Sequence, residues 1–124
     1  MKTRKMLREK MTDINSEEKY VGLVEALTKN PCVVQPIGKR GFGRNGLYFS
    51  GRLFAFLSYK KQLVLKLEPE RVEDLVAAGD GMYWDPRHDG RVLKHWVVLK
   101  LSLERDWLPL AREALKLAKA PRFP

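Results

Sequence analysis

The sequence is poor in the residues that supply metal ligands and covalent chemistry. Its 124 residues include one cysteine, Cys32, and two histidines, His88 and His95. A single cysteine excludes an intramolecular disulfide and agrees with a reducing compartment. These residues do not follow a spacing such as C-x-x-C or H-x-x-x-H, and the aspartates of 80–89 do not follow that of an EF-hand. The sequence therefore predicts no metal site, no cofactor and no catalytic group.

Long apolar runs are also missing. The longest, Leu53–Leu57, has five residues, whereas a helix needs about 20 to span a bilayer. The basic N-terminal residues 1–11 are not followed by the apolar stretch of a signal peptide. We therefore expect a cytoplasmic protein that does not associate with a membrane.

Acidic residues are absent from one third of the chain. Residues 26–67 contain eight Lys and Arg but no Asp or Glu, and residues 1–12 add five bases and one acid. Over the whole chain, 24 Lys and Arg face 15 Asp and Glu, which gives a net charge of +9. An excess of this kind favours contact with nucleic acid or with an acidic protein surface.

A glycine motif of the form G-x-G-x-x-G spans Gly41 to Gly46. In a dinucleotide-binding protein a helix follows the third glycine at once, because the amino end of that helix binds the pyrophosphate. Here Gly46 is followed by Leu47-Tyr48-Phe49, which are strand-forming residues. A kinase glycine loop does lie between strands, but the other kinase motifs are missing. The motif thus indicates a flexible turn between two strands.

Apolar periodicity predicts three helices. The first covers about residues 16–29, and the second begins at Pro69 and ends at Gly79. The third begins at Trp107, with Asp106 as its N-cap. Three β-rich runs divided by short turns, Leu47–Ser50, Leu53–Leu57 and Gln62–Leu67, predict an antiparallel meander.

This order of elements predicts an α+β fold, with helices on one face of a twisted, mostly antiparallel sheet. Further strands are expected within 32–37, 82–84 and 95–101. We expect a single domain over residues 15–119, a flexible basic arm over 1–14 and a loose tail over 120–124.

The same patterns predict the core. The expected buried residues are Leu23, Leu27, Phe54, Phe56, Leu65, Val76, Trp96, Val98 and Leu115. Since side chains alternate along a strand, Phe54 and Phe56 are expected on one face of the sheet, and Trp96 and Val98 likewise. Cys32 is expected to act as a small buried apolar residue, and His95 to be packed or hydrogen-bonded.

Several short blocks resemble the TfoX N-terminal domain family, which is related in fold to the small YjbR-like proteins. The blocks are Phe42-Gly43, Gly46-Leu47-Tyr48, Gly51-Arg52-Leu53-Phe54-Ala55, Leu63-Val64-Leu65-Lys66, the helix from Glu70 to Gly79, and Trp96. The resemblance spans about residues 18–119. It implies a bacterial, cytoplasmic α+β domain; longer members are associated with control of competence genes, and YjbR-like relatives are described as carrying a double-wing DNA-binding arrangement. This chain departs from the family at Lys39-Arg40 and Arg44, which make its loop more basic.

The leading functional hypothesis is a non-enzymatic regulatory module that contacts nucleic acid non-specifically, or an acidic partner protein, through basic hairpin loops. The candidate binding residues are Lys39, Arg40, Arg44, Arg52, Lys60 and Lys61. They lie in or near predicted turns, which can meet at one end of a sheet. The alternative is a domain that binds a small anionic ligand in a pocket at the sheet edge, with Arg40, Arg44 and His95 as donors.

Overall fold

A computed structural model describes residues 16–36, 45–58, 60–100 and 106–120. Within these ranges the chain forms three helices and one six-stranded sheet, so the predicted α+β class is confirmed. The elements are α1 (16–27), β1 (Val33–Val34), β2 (Leu47–Phe49), β3 (Arg52–Leu57), β4 (Leu63–Lys66), α2 (Pro69–Ala77), β5 (Gly81–Trp84), β6 (Leu93–Leu99) and α3 (Trp107–Lys119). The predicted arm, 1–14, lies outside the described residues.

The sheet is antiparallel throughout, with strand order β1-β2-β3-β4-β6-β5. The predicted meander of β2, β3 and β4 is confirmed. After β4 the chain passes through α2 and β5 before β6 returns to pair with β4, which leaves β5 at the edge. In a meander, successive turns lie at opposite ends of the strand that they share.

Two tight turns border β3. Ser50 and Gly51 have φ of 47° and 82°, and two consecutive left-handed residues suit a two-residue hairpin. Arg52 therefore begins β3, opposite Phe49, instead of standing in the turn. At the other end of β3, Lys61 has φ of 65°, and its amide donates to the carbonyl of Ser58.

The main core lies on the sheet face that the three helices cover, as predicted. It includes Leu23 and Leu27 of α1, Leu65 of β4 and Leu115 of α3. Val76, also predicted to be buried, is partly exposed at the border of this core. Asp106 stands before α3, but its side chain makes no capping hydrogen bond.

A second apolar cluster occupies the opposite face of the sheet. Its buried members are Phe56, Val64, Trp96 and Val98, with Leu53 and Trp84 packed beside them. The rings of Phe56, Trp84 and Trp96 meet one another at centroid distances of 5.0–5.7 Å in tilted or edge-to-face contacts, a favourable geometry for aromatic pairs. The prediction that Trp96 and Val98 share a face is confirmed, although the face is the one away from the helices.

The prediction that Phe54 and Phe56 share a face is wrong. Leu47 pairs with Ala55, and the next residue, Tyr48, pairs with Leu53. Phe54 is thus an extra residue in β3, a β-bulge that breaks the alternation of side chains. Phe54 consequently packs in the main core, while Phe56 packs in the second cluster.

Asn45, two residues before β2, is bonded to α1, to β3 and to the segment that follows β1. Its carbonyl accepts a hydrogen bond from the Tyr20 hydroxyl of α1 (2.5 Å) and another from Nε2 of Gln35 (2.9 Å). Its own Oδ1 accepts the amide of Leu57 (3.2 Å). Burial of Tyr20 raises the pKa of its hydroxyl, so the hydroxyl keeps its proton at neutral pH and donates it to this bond.

Replacing Phe56 by Ala should lower the free energy of unfolding by about 3–5 kcal/mol, because the ring is buried among aromatic neighbours. Met82→Ala, on the same sheet face but 54% exposed, is the control and should change the stability by no more than about 0.5 kcal/mol. Urea denaturation measures both. Equal losses for the two variants would contradict the described packing.

Tyr20→Phe should destabilise the fold by about 1 kcal/mol at neutral pH, since Asn45 loses one donor. The pKa of Tyr20 is higher in the folded state than in the unfolded state, where it is about 10. The wild-type protein therefore loses stability as the pH rises above about 10, whereas Tyr20→Phe escapes that loss. Unfolding curves of both proteins from pH 8 to 11.5 should show the difference shrinking above pH 10; a constant difference would contradict the buried hydroxyl.

Candidate functional site

The net charge is concentrated outside the described residues. The described ranges contain 14 Lys and Arg and 12 Asp and Glu, a net charge of +2. The remaining 10 bases and three acids supply +7, and residues 1–12 and 37–44 hold eight of these bases. The described part of the chain is thus nearly neutral, and most of the net positive charge lies in the rest of the sequence.

The six predicted binding residues do not come together in the described structure. Lys39, Arg40 and Arg44 lie outside the described residues. Arg52 is at the β2–β3 turn, while Lys60 and Lys61 are in the β3–β4 turn, so the six residues of β3 separate them. At about 3.3 Å per residue this is roughly 20 Å. The predicted meander already implies this separation, since its successive turns lie at opposite ends of β3; the expectation that these turns meet at one end was therefore wrong for Arg52.

The guanidinium of Arg52 makes hydrogen bonds within its own chain. Its Nη1 donates to the carbonyl of Ala118 (2.8 Å) and to that of Ala120 (3.3 Å). The last carbonyls of a helix have no partner within the helix, and a cation there also interacts favourably with the helix dipole. Arg52 therefore connects β3 to the carboxyl end of α3, and its role there is structural.

Lys61 forms an ion pair with Glu17, the second residue of α1. The two side chains are 50% and 54% exposed, so the pair adds little stability, about 0.2–1 kcal/mol. Its importance is geometric: it places the beginning of α1 beside the β3–β4 turn. Lys60 is exposed in the same turn.

A cleft of about 390 Å³ lies at the Arg52 end of the sheet, against the carboxyl half of α3. Among the described residues, its charged or polar lining consists of Arg52, Lys66, Glu68 and His95. The apolar lining comes from Leu53, Phe54, Leu117 and three alanines, Ala114, Ala118 and Ala120. The antiparallel order β3-β4-β6 explains this arrangement, because β3 begins, β4 ends and β6 begins at the same end of the sheet.

Two helix ends border the cleft. Glu68 is the N-cap residue of α2, and its side chain makes no capping hydrogen bond. Ala118, Lys119 and Ala120 form the end of α3. The amino end of a helix carries a partial positive charge and the carboxyl end a partial negative one, so the two contributions offset each other.

The structure changes the interpretation of two residues that the sequence singled out. His95 is exposed at the cleft, and its imidazole has no hydrogen-bond partner among the described residues, contrary to the expectation that it is packed or hydrogen-bonded. Cys32 is exposed and precedes β1, so it is not a buried apolar residue. The sequence analysis did not identify Lys66 and Glu68 as cleft residues. No local sequence pattern indicates this position, because it depends on the pairing of β4 with β6.

The loop between β5 and β6 is organised by its own hydrogen bonds. The carboxylate of Asp85 accepts the amides of Asp89 (3.4 Å) and Gly90 (2.9 Å). Within the described ranges, no three His, Cys, Asp or Glu residues are grouped in a way that could hold a metal ion. None of the helices in these ranges is both long and apolar enough to cross a bilayer.

Arg52→Met should destabilise the protein by about 1.5–3 kcal/mol, because two carbonyls at the end of α3 lose a charged donor. Lys61→Met removes the same charge at the opposite end of β3 and should cost at most about 1 kcal/mol. Urea denaturation compares the two, and amide exchange over residues 114–119 reports on the end of α3. Similar costs and unchanged exchange would show that Arg52 does not hold the helix.

Comparison with known proteins gave no match: no family model fits the chain, and no curated protein or solved structure is significantly similar to it. The resemblance to the TfoX N-terminal domain thus stays a prediction from the sequence blocks.

Proposed function

We propose that the chain is a non-enzymatic module that binds nucleic acid non-specifically through basic segments joined to one end of its sheet. The observation that supports this is where those segments attach. Residues 1–15 join α1 at Ser16, next to the Glu17–Lys61 pair. Residues 37–44 return to the scaffold at Asn45, which bonds to Leu57 at the end of β3. Both attachments are at the β3–β4 turn.

The segments that attach at this end and the β3–β4 turn together contain ten of the 24 Lys and Arg. The arm contributes Lys2, Arg4, Lys5, Arg8 and Lys10, the loop contributes Lys39, Arg40 and Arg44, and the turn contributes Lys60 and Lys61. The loop is also held at both ends, since Nε2 of Gln35, two residues before it, donates to the carbonyl of Asn45. Such a set of cations suits a polyanion, whose phosphates repeat at short intervals.

Contacts between basic side chains and phosphates depend on charge and do not distinguish one base sequence from another. Phosphate contacts position a protein on nucleic acid, whereas sequence is read by groups that reach the base edges. Binding should therefore be weak at physiological salt, with a Kd of about 10⁻⁴–10⁻⁶ M, and strongly dependent on salt because each contact releases counterions. Arg52 is not part of this surface, because it lies at the other end of β3. The resemblance noted above implies a bacterial, cytoplasmic module.

The test is fluorescence anisotropy with labelled duplex and single-stranded DNA over a salt series. Deletion of residues 1–12, the double variant Arg40→Glu/Arg44→Glu and Lys60→Glu should each weaken binding and reduce the salt dependence. The loop variant should have the larger effect, because the described residues on both sides of 37–44 hold the loop at its ends and lower the entropy that it loses on binding. Lys94→Glu makes the same charge change at the opposite end of the sheet and should bind like the wild type.

Absence of binding at low salt, where surface electrostatics are strongest, would refute the nucleic-acid proposal. Equal weakening by Lys94→Glu would refute the assignment to this end. An affinity pull-down with and without nuclease distinguishes nucleic acid from an acidic protein surface: partners that survive nuclease treatment would replace the nucleic-acid proposal with the protein one.

A further inference from the structure

We propose that the carboxylate of Glu17 is an intramolecular competitor of nucleic-acid phosphates for Lys61. In the free protein Glu17 pairs with Lys61, and a phosphate that binds this lysine has to displace the carboxylate. This role presupposes the proposed nucleic-acid function and limits its strength, because Glu17 lowers the affinity of the β3–β4 end for a polyanion.

The β3–β4 turn fixes the backbone from which the Lys61 side chain extends. The amide of Ser58 donates to the carbonyl of Gln62 (2.8 Å), and the amide of Gln62 donates to Oγ of Ser58 (3.2 Å). The amide of Lys61 donates to the carbonyl of Ser58 (2.9 Å), and its φ is 65°, in the left-handed region. Few residues other than glycine adopt this conformation. The turn thus holds Lys61 beside the second residue of α1, Glu17.

The ion pair can open without loss of the fold. Apolar burial attaches α1 to the core, since Tyr20, Leu23 and Leu27 are each only 4% exposed. The side chains of Glu17 and Lys61 are about half exposed, so water solvates both of them when they separate. Glu17 also lies in the first turn of α1, where the partial positive charge of the helix end stabilises a carboxylate.

A phosphate and the Glu17 carboxylate compete for the same donor. Both are anions that accept charge-assisted hydrogen bonds from a lysine ammonium. A phosphate at Lys61 would also be close to the carboxylate, and like charges brought together at an interface weaken binding. Because exposed ion pairs are weak, we expect the competition to change the Kd for DNA by up to about fivefold.

Glu18 provides a matched control for Glu17. It is the next residue of α1 and is also exposed, but it forms no ion pair with a described residue. Glu17→Gln and Glu18→Gln remove the same charge from the same end of α1, so both reduce the general repulsion of a polyanion. Only Glu17→Gln also releases Lys61.

The experiment measures the affinity for a short labelled DNA duplex at low salt by fluorescence anisotropy. We expect Glu17→Gln to bind about two- to fivefold more tightly than Glu18→Gln. In a Lys61→Met background, where the competition no longer exists, the two substitutions should have equal effects. Urea denaturation should give both single variants the midpoint of the wild type, because both carboxylates are exposed.

Equal affinities of Glu17→Gln and Glu18→Gln would overturn the competition and leave the nucleic-acid proposal intact. An advantage of Glu17→Gln that persists with Lys61→Met would also overturn it, since Glu17 would then act through general repulsion. Weaker binding by Glu17→Gln would likewise do so, because the pair would then position Lys61 for the phosphate. Absence of DNA binding in the wild type and in Glu17→Gln alike would refute both proposals.

Discussion

The antiparallel pairing of β3 with both β2 and β4 determines where the basic residues of its two turns lie. Each strand of a meander reverses direction, so its two turns must lie at opposite ends. This sends Arg52 to one end and Lys60–Lys61 to the other. The same rule brings the end of β4 and the beginning of β6 to the Arg52 end, where the cleft forms. Neither surface could move without changing the pairing of the sheet.

The bulge at Phe54 determines how apolar side chains divide between the two faces. It turns Phe54 and Ala55 toward the helices and leaves Phe56 for the opposite face. There Phe56 meets Trp84 and Trp96 from β5 and β6, the two strands beyond β4. The sheet thus packs apolar residues on both faces. The aromatic cluster is itself mostly buried, so it acts as a second core and not as an open platform on which bases could stack.

Features that depend on neighbours in the chain could be predicted from the sequence. The helices follow from apolar periodicity, and the hairpins follow from turn residues between β-rich runs. Features that depend on distant pairing could not be predicted. No local pattern shows that β6 rather than β5 lies beside β4, yet this order brings His95 next to Leu67, whose amide donates to the His95 carbonyl (2.9 Å). The candidate site was therefore predicted only in part: Arg52 and His95 were identified, but their common cleft with Lys66 was not.

The two ends of β3 are far enough apart that charges at one end have little effect on charges at the other. The Debye length at physiological ionic strength is about 8 Å, and the six residues of β3 span roughly 20 Å. Charges at the β3–β4 turn are therefore screened from those at the Arg52 end. Coupling between the two ends would have to pass through the scaffold, and the shortest physical connection is β3, held at one end by Asn45 and at the other by Arg52 on α3. Both contacts hold β3 at its ends, which keeps the two groups of charges apart.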